Sequence, residues 1–334
     1  VTQQLAANGI TLLTGATGFI GSHVAERLVN EGRRLRCLVR PGRQLPPWLD
    51  PARCEIIEAS LLDRDAVHAA VRGVRTVIHI AGVTKAKRSV EYLRGNVEST
   101  RNLLEAAETI ADLDRFAYIS SLTVAGPSPD GHLLDESEPE RPLTAYGRSK
   151  LEAERLVTAA AARVPISVIR PPAVYGPRDR DTLEMFRWVR YGISPVIGGT
   201  EKSLSLIHVH DLADAIRAVA FDPRAVGRVY YAANPVPHPF AELMSIIGRI
   251  VARRPVSIRF PRPLLFAVAG VVEAISLIGP KPAVLSIDKA RDMSQDHWVC
   301  SSRRIEEELG VRATTPLEQG LRDTYAWYLR YGWL

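Results

Sequence analysis

The sequence predicts an α/β protein: a parallel, doubly wound sheet followed by a smaller, irregular lobe. Three observations carry that prediction. An apolar run, residues 10–13, turns at Gly15 into a segment with apolar residues at helical spacing (Phe19, Ile20, Val24, Leu28, Val29), which reads as strand, turn and helix. Short apolar strands and helical segments then alternate as far as Ile169, at the spacing that right-handed β-α-β crossovers require. The strand ends fall at Gly15, Arg40, Ala81 and Ser120-Ser121, so small and polar residues gather at the carboxyl edge, where such sheets bind ligands.

Taken in order, the second strand is the alternating stretch 34–39, broken by Pro41-Gly42-Arg43. A third covers 54–57 and leads to Asp63, placed to cap a helix over residues 64–72. A fourth strand covers 76–80, a long helix 90–109, and a fifth strand 116–119. A Pro-, Asp- and Glu-rich loop (126–142) precedes a helix over 145–162 and a strand over 166–169. From Arg170 onward Pro171-Pro172, Gly176-Pro177 and Gly198-Gly199 interrupt the pattern. The expected division is a nucleotide-binding domain, 1–170, interleaved with a substrate lobe, 171–334, as one compact unit.

Composition narrows the class. With 334 residues, 46% hydrophobic and 24% charged, the chain has ample material for a large core. Cys37, Cys54 and Cys300 are too few and too scattered for a disulfide framework, and none has zinc or redox spacing. Residues 1–8 show no secretory leader and no apolar run reaches the ~20 residues of a membrane span, so a cytoplasmic protein is expected. A net charge of +6 fits either an anionic partner or a mildly basic surface with none; no nucleic-acid partner is expected. The absence of a G-x-S-x-G turn leaves serine hydrolase chemistry without support.

The glycines of the first turn run G-x-x-G-x-x-G. Gly15 permits the turn, Gly18 lets the backbone approach phosphate, and Gly21 lets the helix pack closely. Thr17, Phe19 and Ile20 complete a helix start whose free N–H groups and dipole suit a pyrophosphate. Tyr146 and Lys150, four apart on one helix face, form a second candidate centre. A phenol titrates near 10, and a neighbouring lysine together with a positive nicotinamide ring favours the phenolate, which would make Tyr146 a useful proton carrier. Ser121, ending a strand at the same edge, can hydrogen-bond a substrate oxygen.

The motifs TGATGFIGS, YISSLTVAG, YGRSK, RPPAVYGPRD and LIHVHDLADAI occur in the order and spacing of the extended short-chain dehydrogenase/reductase family, which the chain resembles from about Asn8 to Ala220 and more loosely beyond. That family includes nucleotide-sugar epimerases and dehydratases, 3β-hydroxysteroid dehydrogenases and dihydroflavonol-type reductases. The resemblance implies a Rossmann-type fold and makes Ser121, Tyr146 and Lys150 the catalytic set, with Lys150 also holding the nicotinamide ribose. It implies that Ala81 and Gly82 border the cofactor, that Asn96 stands on the helix behind the site, and that Pro171 to Val174 wall the nicotinamide. The alternative for Asn96 is a helix-to-helix hydrogen bond. Arg40, followed by Arg43, stands where NAD-binding members tend to carry an acidic residue, so NADP is the expected cofactor and NAD the alternative.

Departures from the family pattern bear on substrate. Ala59-Ser60-Leu61 replaces Gly-Asp-Leu after the third strand, leaving Ser60 to meet adenine. Ala125 replaces a tyrosine common in sugar epimerases, and an arginine that many sugar-nucleotide enzymes place before the His208 element is missing. The first reading is therefore an oxidoreductase moving a hydride between NADP(H) and a secondary alcohol or ketone on a largely apolar small molecule. The alternative is a nucleotide-sugar epimerase or dehydratase with retained NAD; a third reading is a cofactor-binding regulatory protein without turnover.

Four other features carry expectations. His208 and His210 could suggest a metal, but the expectation is that Asp211 caps the next helix, His208 is structural and no metal is bound. Lys85 to Arg88 is expected to be a solvated loop near the site mouth. The apolar segment 262–279 is expected to bury against the sheet lobe while covering substrate, with peripheral membrane contact as the alternative. The aromatic helix 318–334 is expected to dock as a lid or dimer element, and a homodimer is possible.

Overall fold

The computed structural model describes residues 9–198, 201–279, 283 and 285–334. Its first half lays down β1 (Ile10–Thr14), α1 (Phe19–Asn30), β2 (Leu35–Val39), β3 (Glu55–Glu58), α2 (Arg64–Ala70), β4 (Val74–His79), α3 (Ser89–Tyr92), α4 (Ser99–Ala107), β5 (Arg115–Ile119), α5 (Ala145–Ala159) and β6 (Ile166–Arg170). There follow β7 (Ala173–Tyr175), α6 (Arg180–Arg190), β8 (Ile193–Ile197), β9 (Ser203–Leu204), β10 (Leu206–His208), α7 (Val209–Phe221) and β11 (Val229–Tyr231). The chain closes with β12 (His238–Pro239), α8 (Phe240–Ile250), β13 (Val256–Phe260), α9 (Arg262–Ile278), α10 (Ile287–Ser294), β14 (His297–Trp298), α11 (Arg303–Leu309) and α12 (Leu317–Arg330).

Seven strands form one parallel sheet in the order β11-β6-β5-β4-β1-β2-β3. The strands read as unbroken apolar runs because both faces are covered: Leu13, Ile78, Ile119 and Ile169 pack under α1 and α7, while Leu12, Val77, Tyr118 and Val168 pack under α2, α4 and α5. Chain order reverses between β1 and β4, so their carboxyl ends diverge and leave a crevice. β11 joins the sheet from beyond the smaller lobe's first elements.

A second core holds the smaller lobe, with Tyr175, Phe186, Val189, Leu243, Ile247 and Tyr328 at its centre. The aromatic C-terminal helix docks on this core: Leu317, Leu321 and Tyr328 of α12 are buried, and the Tyr328 hydroxyl donates to the Asp179 carbonyl at 2.5 Å. The expected helix over 90–109 is interrupted by a π-helical turn, Leu93–Glu98. Asp211 does not cap α7; it lies in the first turn and accepts from the backbone N–H groups of Thr314 and Thr315. His208 is buried at the end of β10, its ring 4.9 Å from that of His210. Residues 85–88 are tied down as well as solvated: Lys85 pairs with Asp181 at 2.8 Å and Lys87 Nζ donates to the Gly279 carbonyl. α9 does not bury against the sheet lobe; it packs on α10, with only Leu265 and Ala269 buried. No helix among the described residues is long and apolar enough to cross a membrane.

Candidate active site

The turn between β1 and α1 leaves room for a close neighbour. Gly15 sits at φ +81°, a conformation that strains any side chain. A Cβ on Gly21 would come within 2.1 Å of the Gly15 carbonyl oxygen, and one on Gly18 within 3.2 Å of the same atom. The tight packing expected of Gly21 is thus made against the turn itself. Gly18, the N-cap of α1, has no side chain to fold back, so the N–H groups of Phe19, Ile20 and Gly21 lack intrahelical acceptors. With half-buried Thr17 beside them, these donors fit the diphosphate of a dinucleotide.

Opposite this turn, Ala81 N–H donates to Thr14 Oγ1 at 3.2 Å and Gly82 follows. Asn96, in the π-helical turn, grips the next residue at both backbone atoms: Oδ1 accepts from Val83 N–H at 2.6 Å and Nδ2 donates to Val83 O at 3.0 Å. The same Nδ2 donates to Ser149 Oγ at 2.8 Å. Asn96 therefore ties the loop after β4 to α5, and both its amide hydrogens are spent on the protein. What it contributes at Ala81 and Gly82 is position.

Ser121, Tyr146 and Lys150 lie where β5 ends and α5 begins. Ser121 Oγ caps the short turn Leu122–Val124, accepting from Thr123 N–H at 3.2 Å and from Thr123 Oγ1 at 2.9 Å. Thr144 caps α5 by accepting from Gly147 N–H at 3.1 Å. Gly147 lets α5 close on the neighbouring turn, since a Cβ there would stand 2.8 Å from the Thr123 carbonyl oxygen. Tyr146 is thereby held beside Ser121, with the Tyr92 ring 6.1 Å away, centroid to centroid. Lys150, one turn on, is buried; its Nζ donates to Ile119 O at 2.7 Å and lies 4.2 Å from the centre of the Tyr118 ring.

Burial dominates the electrostatics. It pushes the Tyr146 phenol up to about 12, against the lowering influence of the Ser121 hydroxyl. It pulls the Lys150 ammonium down to about 7, with Glu154 opposing. The protein's own groups therefore hold the phenol above its ordinary value. Tyr146 is a protonated donor at neutral pH.

At the adenosine end, Arg40 follows β2, is exposed and makes no ion pair among the described residues. Ser60 Oγ accepts from Leu62 N–H at 3.2 Å, and the Leu61 carbonyl accepts from Asn102 Nδ2 at 2.9 Å. Across the site, the Pro171 carbonyl accepts from Leu122 N–H at 2.9 Å, and Val174 lies on β7, paired with Ile207 of β10.

The sequence model of the NAD dependent epimerase/dehydratase family matches residues 11–233. The chain belongs to that family. It is an enzyme of the extended short-chain dehydrogenases/reductases, whose members are nicotinamide-dependent oxidoreductases, epimerases and dehydratases. The chain is 32% identical to a protein named ceramide reductase from Caulobacter vibrioides, over 98% of this chain and 97% of that one. It is 26% identical to a 2-alkyl-3-oxoalkanoate reductase from Shewanella oneidensis, over 93% and 84%. Among solved structures, MoeE5 in complex with UDP-glucuronic acid and NAD superimposes with a TM-score of 0.76 at 27% identity, covering 97% of this chain and 100% of that one. Named reductases and sugar-nucleotide enzymes are thus both among the proteins this chain is similar to.

Several residues at this family site escape sequence reading. Thr14 Oγ1 and Thr100 Oγ1 flank the buried His79 ring at 2.7 Å from Nδ1 and 2.9 Å from Nε2, and Thr100 donates in turn to the Asn96 carbonyl at 2.5 Å. Because Thr100 spends its proton there, His79 donates through Nε2 and accepts at Nδ1; burial holds it neutral, at about 3. Glu58 of β3 stands opposite Val39 and accepts from Gly42 N–H at 3.5 Å, which puts a carboxylate beside the Arg40–Arg43 turn. Asp292 of α10 interacts electrostatically with both Tyr92 and Tyr146, and burial raises its carboxyl to about 6. The Asp292 Oδ1 atom has no hydrogen-bond partner among the described residues. Only the Gly147 requirement had a local signal, its place directly after Tyr146.

Proposed function

We propose that this enzyme reduces a ketone to a secondary alcohol on a largely apolar molecule, using NADPH. The observation that carries the choice of cofactor is the exposed, unpaired Arg40 at the end of β2, where a guanidinium can receive a 2′-phosphate. The bound cofactor would supply the hydride to the carbonyl carbon. Ser121 Oγ holds the carbonyl oxygen, and Tyr146, protonated at neutral pH, delivers its hydroxyl proton to that oxygen as the C–H bond forms. Lys150, fixed on the Ile119 carbonyl, sits one turn away to hold the nicotinamide ribose and to stabilise the phenolate once the proton has left. The Glu58 carboxylate does not exclude this cofactor, since it is turned to the Gly42 N–H.

The apolar substrate class is supported by the missing sugar-nucleotide arginine and by the reductase names of the full-length relatives. A retained-NAD sugar epimerase is the competing reading, favoured by the UDP-sugar and NAD in the MoeE5 structure. Denaturing the purified protein and identifying any released nucleotide separates the two. An empty protein that oxidises NADPH with long-chain ketones is expected, and stoichiometric bound NAD with UDP-sugar turnover would overturn the proposal. In the same assay Tyr146→Phe should lower kcat/KM by roughly 10²–10⁴ while NADPH still binds, because only the proton transfer is removed.

A further inference from the structure

α9 reverses the usual polarity of a surface helix. Its outer face carries Leu264, Ala267, Val268, Val271, Ala274, Ile275 and Ile278, all exposed, with Val271 at 61%, Ile275 at 66% and Ile278 at 93%. Its two ionic residues are turned back into the protein: Arg262 pairs with Asp296 at 3.0 Å, and Glu273 Oε2 accepts from Ile287 N–H at 2.7 Å. Leu264, Val268, Val271, Ile275 and Ile278 recur every three or four residues, so they form one continuous stripe along the helix. The preceding strand β13 exposes further apolar side chains, Val256 at 68% and Ile258 at 40%. A water-facing surface of this kind lacks its partner.

Charge says what that partner is. Arg253, Arg254 and Arg259 lie before the helix on exposed backbone, and Arg88 stands in the loop whose Lys87 reaches the Gly279 carbonyl at the helix end. None of these four arginines makes an ion pair among the described residues. The acidic groups of α9 and α10 face inward or are taken: Glu273 by Ile287, Asp288 by Ala145 N–H and Arg291, and Asp292 beside Tyr146. An apolar stripe with free cations at both ends matches an anionic lipid surface. A symmetric second copy would bring the same arginines together, which disfavours it.

The helix that carries the stripe packs on α10, which borders the site. Asp288 of α10 accepts from Ala145 N–H at 2.6 Å, next to Tyr146, and the 85–88 loop leaves the sheet directly after Ala81 and Gly82. We propose that α9 docks this enzyme on an anionic bilayer, so that an apolar substrate passes from the lipid to Tyr146 between α10 and the 85–88 loop. The substrate route rests on the ketone-reductase reading; the docking does not.

The test uses the whole protein and vesicles of phosphatidylcholine with and without phosphatidylglycerol. The protein is expected to cosediment with the phosphatidylglycerol vesicles and to be released by salt. The double variant Val271→Glu/Ile275→Glu should bind them at least ~10-fold more weakly, since two apolar anchors are lost and two like charges face the lipid. Its melting temperature and its turnover of a short, water-soluble ketone should be unchanged. Wild-type protein remaining in the supernatant, or a variant that binds as well as wild type, would overturn the docking. So would a wild-type dimer that the double substitution converts to monomer, which would assign the stripe to a second copy. Docking without any ketone reduction would overturn the functional reading alone.

Discussion

Arg40 is the residue on which cofactor choice turns. A charge-assisted contact to a 2′-phosphate is worth about 1.5–3 kcal/mol, so Arg40→Ala should raise the KM for NADPH by roughly 10-fold or more and leave that for NADH unchanged. An equal rise for both would assign Arg40 to general electrostatics. At this scale the sequence announced what is local: the glycine turn, Ser121, and the Tyr146–Lys150 spacing. It could not announce what folding gathers. His79 is 65 residues from Thr14 and 21 from Thr100, and Glu58 reaches the Arg40 turn only through the register of β2 and β3. The upward push on the Tyr146 phenol was not legible for a related reason, since burial is a property of the assembled site.

Among elements, α5 is set by its third residue, Gly147. Alanine is ordinarily the better helix former by about 1 kcal/mol, yet a Cβ at Gly147 would meet the Thr123 carbonyl oxygen at 2.8 Å. Gly147→Ala should therefore lower the melting temperature and cost roughly 10²-fold in kcat as Tyr146 moves away from Ser121. A stabilised and fully active variant would remove this contact from the account of the site. Strands and helices of the first half were legible because apolar period and turn residues agree there. The π-helical turn was not, because apolar spacing over 90–109 accommodates one extra residue without a break in pattern. α9 misled for the opposite reason: hydrophobicity reports that a face wants cover, and the cover need not be the same chain.

For the whole molecule, three buried histidines set the acid limit. Burial lowers His23 and His79 to about 3 and His208 to about 4, each from 6.5. All three bind fewer protons folded than unfolded, so their contribution is complete above pH 6.5 and is lost as pH falls toward those values. Asp292, raised to about 6, acts in the other direction between 3.8 and 6 and offsets part of the slope. The urea midpoint should fall steadily from pH 7 to pH 5, and His79→Gln should flatten that fall; a midpoint constant over this range would mean the rings are charged in the native state. The threading of the sheet reaches beyond equilibrium stability. β6 is flanked on its outer side only by β11, and the chain between them builds β7, α6, β8, β9, β10 and α7. On the ribosome, β6 therefore emerges as an open apolar edge and waits for Val229–Tyr231 before it is sealed. Synthesis that stalls within this interval would leave a nascent sheet able to pair with its neighbours on the same message.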